Sequence, residues 1–358
     1  SDYKKKDLME FKNLRVGYIP HSDDLKACSD RRRFCSYAQK RNLKFEVADP
    51  SEHYDVVIMT QRGDISIWSK YYKDNAKIIY DFSDSYLAVP KNDVKGILRG
   101  LAKFVSRQSR YLRLNHWQAL QDMCSRADAV ICSTEEQKRD ILEFCKNVHI
   151  ILDVQSCIAR TVKTDYSSGE VFNLVWEGLP QTTESLFGIQ DVLESLSTRH
   201  KIALHVITDL EYFQYLKKFG NRKTLDITRK LFKNCYLYEW NEELLPHLII
   251  ACDLAIKPYP INNPFALGKP ENSLLLYWRL GMPAVVSQNP AHERAMDGAG
   301  LSMACQTQQD WIETLEKYIT NESARRDAAQ KGHQFAEKYY GEDIVLSQWD
   351  KVINSVLA

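Results

Sequence analysis

The segment that decides the fold is Lys269-Pro270-Glu271-Asn272-Ser273, then Leu274-Leu275-Leu276-Tyr277-Trp278-Arg279-Leu280, Gly281-Met282-Pro283 and Ala284-Val285-Val286-Ser287. It predicts a loop, a helix over residues 272–280 that ends at a glycine two residues before a proline, and a short buried strand. A helix N-terminus favours anions, because its first backbone N–H groups lack intrahelical partners and its dipole attracts negative charge. Lys269 adds a positive charge beside it. The segment therefore predicts a pocket for a diphosphate.

Length and composition favour two α/β domains in one soluble globular chain. The 358 residues exceed one ordinary core, and the net charge of +1 gives no overall bias towards nucleic acid. The first ten residues are mostly charged and the longest apolar run is broken by Asp253, so neither a signal peptide nor a membrane-spanning helix is expected. Nine cysteines without metal-site spacing favour free thiols in a reducing cytoplasm and no metal site.

Short apolar runs alternate with helical segments along the first half of the chain. Strands are predicted at residues 14–20, 44–48, 55–59, 77–80, 129–132 and 148–151. Continuous apolar strands separated by helices imply a parallel sheet covered on both faces. The pattern predicts a doubly wound, Rossmann-like domain over residues 1–165.

The polar segment 165–170 lacks periodicity and predicts a linker, after which the pattern restarts. Strands are predicted at 172–176, 203–207, 235–238, 254–257 and 284–287, with helices at 186–196, 242–251 and 272–280. This predicts a second Rossmann-like domain over residues 166–335. The helical tail ends in a segment, residues 336–358, that is expected to cross back to the first domain.

Two such domains, with a phosphate-binding helix late in the second and a long C-terminal helix, resemble the GT-B fold glycosyltransferases. Residues 253–287 are most similar to the donor half of the retaining, group-1 type (glycogen synthase-like superfamily), with the motifs Asp-Leu-Ala-Ile-Lys-Pro-Tyr-Pro and Leu-Gly-Met-Pro-Ala-Val-Val-Ser. Residues 175–178, 29–33 and 79–84 also resemble segments of these enzymes. The resemblance implies a nucleotide-sugar co-substrate, no metal or other cofactor, and no obligatory protein base.

The chain departs from the pattern of this family at three places. The arginine and lysine that often follow the first strand of the donor domain are missing from residues 176–181, and Leu276 stands where a ribose-binding glutamate is common. An earlier glutamate that is expected near Gly268 is absent, and Glu271 is the nearest carboxylate. Either a divergent branch uses Lys257, Lys269 and Glu271 instead, or the donor site is weakened.

The predicted donor site gathers polar groups at strand ends and at the start of the helix. Lys257 follows a strand at its carboxyl end, where open α/β sheets bind ligands, and Lys269 precedes the helix; these two are the predicted catalytic residues. The predicted donor-nucleotide-binding residues are Gly178, Glu239, Trp240, Lys269, Glu271, Asn272 and Ser273. The alternatives are solvated lysines, a plain turn at Gly178, a favourable interaction of Glu271 with the helix dipole, Asn272 as a plain helix cap and Trp240 as a core residue.

Polar residues after strands of the first domain form the predicted acceptor side. They are His21, Ser29, Arg31, Asp81 and Asp84. His21, Ser29 and Arg31 suit an anionic acceptor. Arg31 begins a run of three arginines at a predicted helix start, and such a run is unfavourable with the helix dipole unless a bound anion compensates its charge. Pairing of the arginines with Asp23, Asp24 or Asp30, and N-capping by the later aspartates, are the alternatives.

A basic amphipathic helix is predicted before residue 115. Its cations fall within about 120° of arc on an ideal helix, and they are Lys95, Arg99, Lys103, Arg107, Arg110 and Arg113. Such a helix suits an anionic membrane surface. An ordinary surface helix is the alternative, and nucleic acid is disfavoured because aromatic residues do not interrupt the basic arc.

The sequence therefore predicts a hexosyltransferase-type glycosyltransferase that moves a sugar from a nucleotide-diphosphate donor to a glycan or lipid-linked acceptor. The predicted reaction is retaining and metal-independent, and the predicted setting is cell-surface polysaccharide synthesis, in the cytoplasm or peripheral on the inner face of the membrane. The alternatives are a non-catalytic GT-B membrane-associated scaffold and a GT-B sugar-nucleotide epimerase. Nucleobase, sugar, acceptor, linkage and oligomeric state are left open.

Overall fold

The computed structural model describes residues 13–72, 75–88, 110, 115–213, 221–260 and 262–357. The chain forms two compact units. Unit 1 comprises residues 1–154 together with 342–358, and unit 2 comprises residues 155–341. The chain therefore enters unit 2 at Gln155 and leaves it after Gly341.

Unit 1 is built on a parallel sheet. Its strands are β1 (Val16–Ile19), β2 (Glu46–Val47), β3 (Val56–Thr60), β4 (Lys77–Asp81), β5 (Ala129–Cys132) and β6 (Val148–Ile150), in the order β2-β1-β3-β4-β5-β6. The helices between them are α1 (Cys28–Arg31), α2 (Phe34–Arg41), α3 (Ile65–Trp68), α4 (His116–Arg126) and α5 (Glu135–Ile141). Strands β3 and β5 are buried along their whole length, because hydrophobic clusters cover both faces of the sheet.

Unit 2 contains a second parallel sheet and one antiparallel hairpin. The strands are β7 (Phe172–Glu177), β8 (Ile202–Thr208), β9 (Glu211–Phe213), β10 (Asn221–Lys223), β11 (Cys235–Glu239), β12 (Leu254–Lys257), β13 (Ala284–Ser287) and β14 (Ala304–Cys305). The parallel sheet has the order β11-β8-β7-β12-β13-β14, and β9 pairs with β10. The predicted α/β class with two doubly wound, Rossmann-like sheets is confirmed.

Eight α-helices are described in unit 2. They are α6 (Gln190–Ser197), α7 (Thr224–Leu231), α8 (Leu245–Ile250), α9 (Pro264–Leu267), α10 (Asn272–Arg279), α11 (Pro290–Ala299), α12 (Gln308–Thr320) and α13 (Glu322–Tyr340). The predicted helix at 186–196 was wrong at its start, because residues 180–189 form a 3₁₀ helix and Ile189, at φ −120°, breaks it from α6. Helix α8 begins later than predicted, since Pro246 occupies its first turn. The β9–β10 hairpin and α7 were not predicted.

Helix α10 ends as the sequence predicts. Gly281 has φ +69°, and a Cβ there would lie 2.7 Å from Cγ1 of Val162, so that a larger residue is excluded by both conformation and space. The backbone N–H of Met282 donates to the carbonyl oxygen of Tyr277 at 2.9 Å and closes the turn. This stop directs the chain from α10 into β13.

The last helix, α14 (Glu342–Leu357), returns to unit 1 and completes its core. Trp349 is fully buried and stacks on Tyr37 at 5.5 Å between ring centres, and Asp350 pairs with Arg41 at 2.7 Å. The predicted crossing of a C-terminal helix to the first domain is confirmed, with the helix starting at Glu342. None of the helices in the described ranges is both long and apolar enough to cross a membrane.

Helices α10 and α13 touch closely at a glycine. A Cβ on Gly332 of α13 would lie 2.5 Å from Cδ1 of the buried Trp278, which belongs to α10. His333 Nδ1 also lies 3.2 Å from the carbonyl oxygen of Trp278. The glycine therefore allows α13 to approach the indole directly.

We expect Gly332→Ala to lower the free energy of unfolding by about 1–3 kcal/mol, because the added methyl group clashes with a rigid buried ring. In an open helical site the same change would be neutral or stabilising. Gly188→Ala is the matched control, since a Cβ on Gly188 would meet no other atom within 4 Å. Urea denaturation measures both variants, and equal stability of the two would contradict this account of the helix contact.

Candidate functional site

The sheet of unit 2 changes its winding direction between β7 and β12. From β7 the chain adds β8 and β11 on one side, and afterwards β12, β13 and β14 on the other. Open α/β sheets bind ligands beyond the carboxyl ends of their strands at this kind of switch point. The last residues of the two central strands are Glu177 and Lys257. We call their surroundings the switch-point site.

Lys257 is a buried cation at this point. The residue is only 3% exposed, its ammonium donates a hydrogen bond to the carbonyl oxygen of Glu177, and that ammonium lies 4.7 Å from the centre of the Trp176 ring. Burial lowers the pKa of Lys257 to about 8, with a further lowering by Lys269 that the charge of Glu177 opposes. Lys257 is therefore not a solvated strand-end lysine.

Gly178 makes room for that ammonium. A Cβ on this residue would lie 2.8 Å from Nζ of Lys257 and 2.8 Å from the ring of Trp176. Any side chain here would displace the cation or the indole. The need for a glycine at position 178 is thus explained by the position of Lys257.

Glu177 links the switch-point site to the strand β11. Its backbone N–H donates to the hydroxyl of Tyr277 at 2.8 Å, and its carboxylate accepts a hydrogen bond from Nε1 of Trp240 at 3.2 Å. Burial, followed by the charges of Glu239 and Glu177, raises the pKa of nearby Asp209. Glu239 is exposed, and Trp240 is held by a carboxylate rather than enclosed in the core.

Polar side chains surround the first turn of α10. Its N-cap residue is Glu271, not Asn272, and Glu271 makes no capping hydrogen bond through its side chain. The side chain of Ser273 is hydrogen-bonded to that of Tyr259, whose pKa is raised mainly by burial. The carbonyl oxygen of Asn272 accepts a hydrogen bond from Nε2 of Gln155 at 3.1 Å.

Lys269 stands just before this turn. Its ammonium lies 4.5 Å from the centre of the Phe265 ring, and its carbonyl oxygen accepts a hydrogen bond from Asn289 at 3.2 Å. The charge of Lys269 contributes a small part of the lowering of the pKa of Lys257. Unit 2 therefore brings six of the predicted residues to the carboxyl ends of its central strands. They are Gly178, Lys257, Lys269, Glu271, Asn272 and Ser273.

Sequence reasoning missed Tyr259 and His292 at this edge. His292 is fully buried, stacks on Tyr259 at 5.7 Å between ring centres, and its Nδ1 lies 2.8 Å from the carbonyl oxygen of Ser287. Burial lowers the pKa of His292 to about 4, so the ring is neutral, and Nδ1 must carry the proton. Nε2 is then an acceptor, and within the described ranges it is buried without a partner. Both residues follow strand ends, which is the signal that would have found them.

Unit 1 also changes direction, between β1 and β3, and polar residues meet there. Nε of Arg62, which follows β3, donates to Nε2 of His21, which follows β1, at 3.3 Å. Gln61 donates to Asp84 at 2.7 Å. Burial and then the charge of Arg62 lower the pKa of His21. The structure thus gathers His21 and Asp84 and adds Arg62, which the sequence did not single out.

Asp81 is engaged by a buried arginine, which differs from its predicted role on the acceptor side. Both of its carboxylate oxygens accept hydrogen bonds from the buried guanidinium of Arg33 at 2.7 Å, and Arg33 also pairs with Asp153 at 3.1 Å. Burial opposes the charge of Arg33, but Asp81 and Asp153 raise its pKa. Asp81 is therefore a structural partner of Arg33.

The loop after β1 is organised by Asp30. This fully buried carboxylate accepts hydrogen bonds from the hydroxyl of Tyr18 at 2.6 Å and from the backbone of His21 at 2.7 Å, so it is not the arginine partner that the sequence allowed. Ser29 and Arg31 lie in α1, where Nε of Arg31 donates to the carbonyl oxygen of Lys26 at 2.7 Å.

The predicted membrane-binding cations lie almost entirely outside the described residues. This applies to Lys95, Arg99, Lys103, Arg107 and Arg113. Arg110 is described, and its backbone N–H donates to the carboxylate of Asp64 at 2.6 Å. Within the described ranges, histidine, cysteine, aspartate and glutamate nowhere form a group of three suited to a metal ion.

Comparison with known proteins gives the fold but no sequence relative. No model of a protein family matches the chain, and no curated protein matches its sequence. HepE from Anabaena, solved in complex with UDP and glucose, is similar in structure with a TM-score of 0.61 and 10% identity, over 95% of this chain and 99% of that chain. Sucrose-phosphate synthase from Thermosynechococcus elongatus matches with a TM-score of 0.56 and 11% identity, over 93% and 79% of the two chains.

TarM, which is known from S. aureus, matches with a TM-score of 0.56 and 11% identity over 84% of this chain. The chain spans about half the length of TarM, since the match covers 54% of that protein. These neighbours share the GT-B fold, so the predicted GT-B fold of the chain is confirmed.

The buried ammonium predicts an unusual pH dependence of stability. Between pH 8 and the ordinary lysine range near 10.5, the folded state holds fewer protons at Lys257 than the unfolded state. Stability contributed by this group therefore rises with pH through that window, by up to about 3 kcal/mol. We expect urea denaturation at pH 7 to 10 to show that the free energy of unfolding of the wild type rises relative to that of Lys257→Met. Parallel curves for the two proteins would contradict a low pKa at Lys257.

Proposed function

We propose that the chain is a glycosyltransferase that binds the diphosphate of a nucleotide sugar at the switch-point site of unit 2. The observation that carries the proposal is the buried ammonium of Lys257, which lies beside Gly178. The charge of Lys269 lowers the pKa of this ammonium. Lys257 and the first turn of α10 lie at the same end of the sheet. Several neighbours in fold support it, because HepE, TarM and the pneumococcal O-GlcNAc transferase GtfA were solved with UDP.

The proposed chemistry uses these cations on the leaving group. When the bond between the sugar C1 and the diphosphate oxygen breaks, negative charge grows on the diphosphate. Ammonium groups and helix N–H groups that already point at this position stabilise the charge without reorganisation. The acceptor oxygen forms the new bond to C1, and its proton passes to the released diphosphate. No protein base is needed in this scheme, which is retaining.

Metal independence is part of the same proposal. Lys257 and Lys269 supply the positive charge that a divalent cation would otherwise bring to the diphosphate. We expect activity to persist in EDTA, and loss of activity in EDTA that Mg²⁺ restores would remove this part of the proposal.

The acceptor is proposed to bind to unit 1 near His21. The pair of His21 and Arg62 offers a neutral imidazole and a guanidinium after neighbouring strands, with Asp84 close by and Ser29 and Arg31 in α1. A glycan or a lipid-linked sugar fits this polar surface. In its finer form, the proposal is that the chain transfers a hexosyl group in cell-surface polysaccharide synthesis. The reaction would take place at the inner face of an anionic membrane, which the basic residues of segment 95–113 would contact.

Binding of nucleotides tests the proposal first. Titration calorimetry with UDP, GDP and ADP is expected to show micromolar affinity for at least one diphosphate. Absence of binding to all three would support a non-catalytic scaffold instead. Isomerisation of the nucleotide sugar without an acceptor would support an epimerase, and transfer to an added glycan or lipid-linked sugar supports the transferase.

The lysine before α10 gives a sharp prediction for binding. We expect Lys269→Ala to weaken the affinity for the nucleoside diphosphate by about tenfold or more, because a charge-assisted contact to a phosphate is lost. Affinity for the nucleoside without phosphates should stay unchanged. Lys233→Ala, an exposed lysine at the amino end of β11, is the matched control. Equal losses in both variants would exclude a specific role for Lys269.

The low pKa of Lys257 gives a second prediction for the same ligand. The ammonium is charged below pH 8 and becomes neutral above it. We therefore expect the affinity for the diphosphate to fall between pH 7 and 9, a range in which the phosphates of the ligand are already ionised. In Lys257→Met the affinity should be lower at pH 7 and nearly independent of pH. A wild-type slope that survives in this variant would show that another group is responsible.

A further inference from the structure

Two side chains from the ends of unit 2 hold the start of α10. Gln155 is the first residue of the unit, and its Nε2 donates to the carbonyl oxygen of Asn272 at 3.1 Å. Tyr340 lies one residue before the end of the unit, and its hydroxyl donates to Oε1 of Glu271 at 3.1 Å. Residues at the two ends of unit 2 therefore hold the start of α10.

Both contacts are partly buried. Gln155 is 3% exposed and Glu271 is 7% exposed, so their hydrogen bonds lie in a medium of low dielectric constant, where such bonds are strong. Burial and then the charge of Glu271 raise the pKa of Tyr340. The hydroxyl therefore keeps its proton at neutral pH and remains a donor to the carboxylate.

Tyr340 also braces the far end of the same helix. Its carbonyl oxygen accepts a hydrogen bond from Nη1 of Arg279, the last residue of α10, at 3.1 Å. Arg279 is in turn paired with Glu337 at 3.2 Å. One residue thus contacts both ends of a helix that is about 12 Å long. Tyr340 therefore helps to fix α10 in unit 2.

The contact has a specific electrostatic consequence for Glu271. An acidic side chain at the N-cap can fold over the first turn and accept hydrogen bonds from its N–H groups, which are the groups that would bind a phosphate. Glu271 makes no such cap, and its carboxylate instead accepts from Tyr340. The tyrosine therefore keeps a competing anion away from the first turn.

We propose that Tyr340 and Gln155 are positioning residues for diphosphate binding, with Tyr340 holding the carboxylate of Glu271 off the first turn and Gln155 fixing that turn through Asn272. This inference rests on the proposed function, because it takes the first turn of α10 as the place where the diphosphate binds. It predicts an effect on the phosphates of the ligand and none on the nucleoside.

Calorimetry with UDP and uridine tests the inference in Tyr340→Phe and Gln155→Leu. Each variant should bind UDP about threefold to tenfold more weakly, the range of one lost hydrogen bond, and bind uridine within twofold of the wild type. The matched control is Tyr339→Phe, which changes the adjacent tyrosine, 49% exposed, in the same way. A general structural defect would weaken both ligands equally and would overturn the inference.

A rescue experiment tests the role of the carboxylate directly. In Tyr340→Phe, the further change Glu271→Gln removes the negative charge that competes with the phosphate. UDP affinity should then recover at least threefold relative to Tyr340→Phe alone. Unchanged affinity in the double variant would show that competition by Glu271 is not the mechanism.

Hydrogen exchange on the wild type keeps the test valid if a variant fails to fold. UDP, but not uridine, should slow amide exchange at residues 154–156 and 340–341, and unchanged exchange there overturns the inference. If the wild type binds no nucleotide, the proposed function itself fails. If it binds UDP while Tyr340→Phe and Gln155→Leu retain full affinity, only the positioning role fails.

Discussion

Unit 2 must accommodate a charged ammonium at the end of a strand that is otherwise apolar and buried. Lys257 meets this constraint through the carbonyl oxygen of Glu177 and the face of Trp176, and Gly178 leaves the space that it occupies. These groups come together only because β7 and β12 are adjacent at the switch point. The order of the strands, the glycine and the buried cation are therefore parts of one arrangement.

The buried cations of the two units have different hydrogen-bond partners. In unit 1, Arg33 is paired with the carboxylates of Asp81 and Asp153, so its charge is neutralised inside the protein. In unit 2, the hydrogen bond of Lys257 goes to a carbonyl oxygen, and the carboxylate of Glu177 is engaged by Trp240. The charge of Arg33 is balanced by two carboxylates, whereas we propose that the charge of Lys257 attracts an anion. This contrast distinguishes a structural ion pair from a candidate binding group.

Local signals in the sequence predicted most of the framework. The helix at 272–280 was correct to within one residue and the stop at Gly281 was correct, because caps, apolar runs and the glycine act over a few residues. The start of α6 was not predicted, since a 3₁₀ helix and an α-helix share similar spacing over a short run.

The parts of the site that were missed depend on distant segments of the chain. The partner of Asp81 could not be identified, because Arg33 lies 48 residues earlier and was grouped with its neighbours Arg31 and Arg32. Tyr340 reaches Glu271 across 69 residues. No spacing rule connects such positions, and only the pairing of strands and the contact of α13 with α10 bring them together.

The composition of unit 1 from two separate segments has a consequence for biosynthesis. Helix α14 supplies Trp349 and its apolar neighbours to the core of unit 1, but it is translated after all of unit 2. Domains generally fold as they emerge from the ribosome. Unit 2, which is continuous in sequence, is therefore able to fold before unit 1 is complete, because one face of the unit 1 sheet is only partly covered until α14 is made.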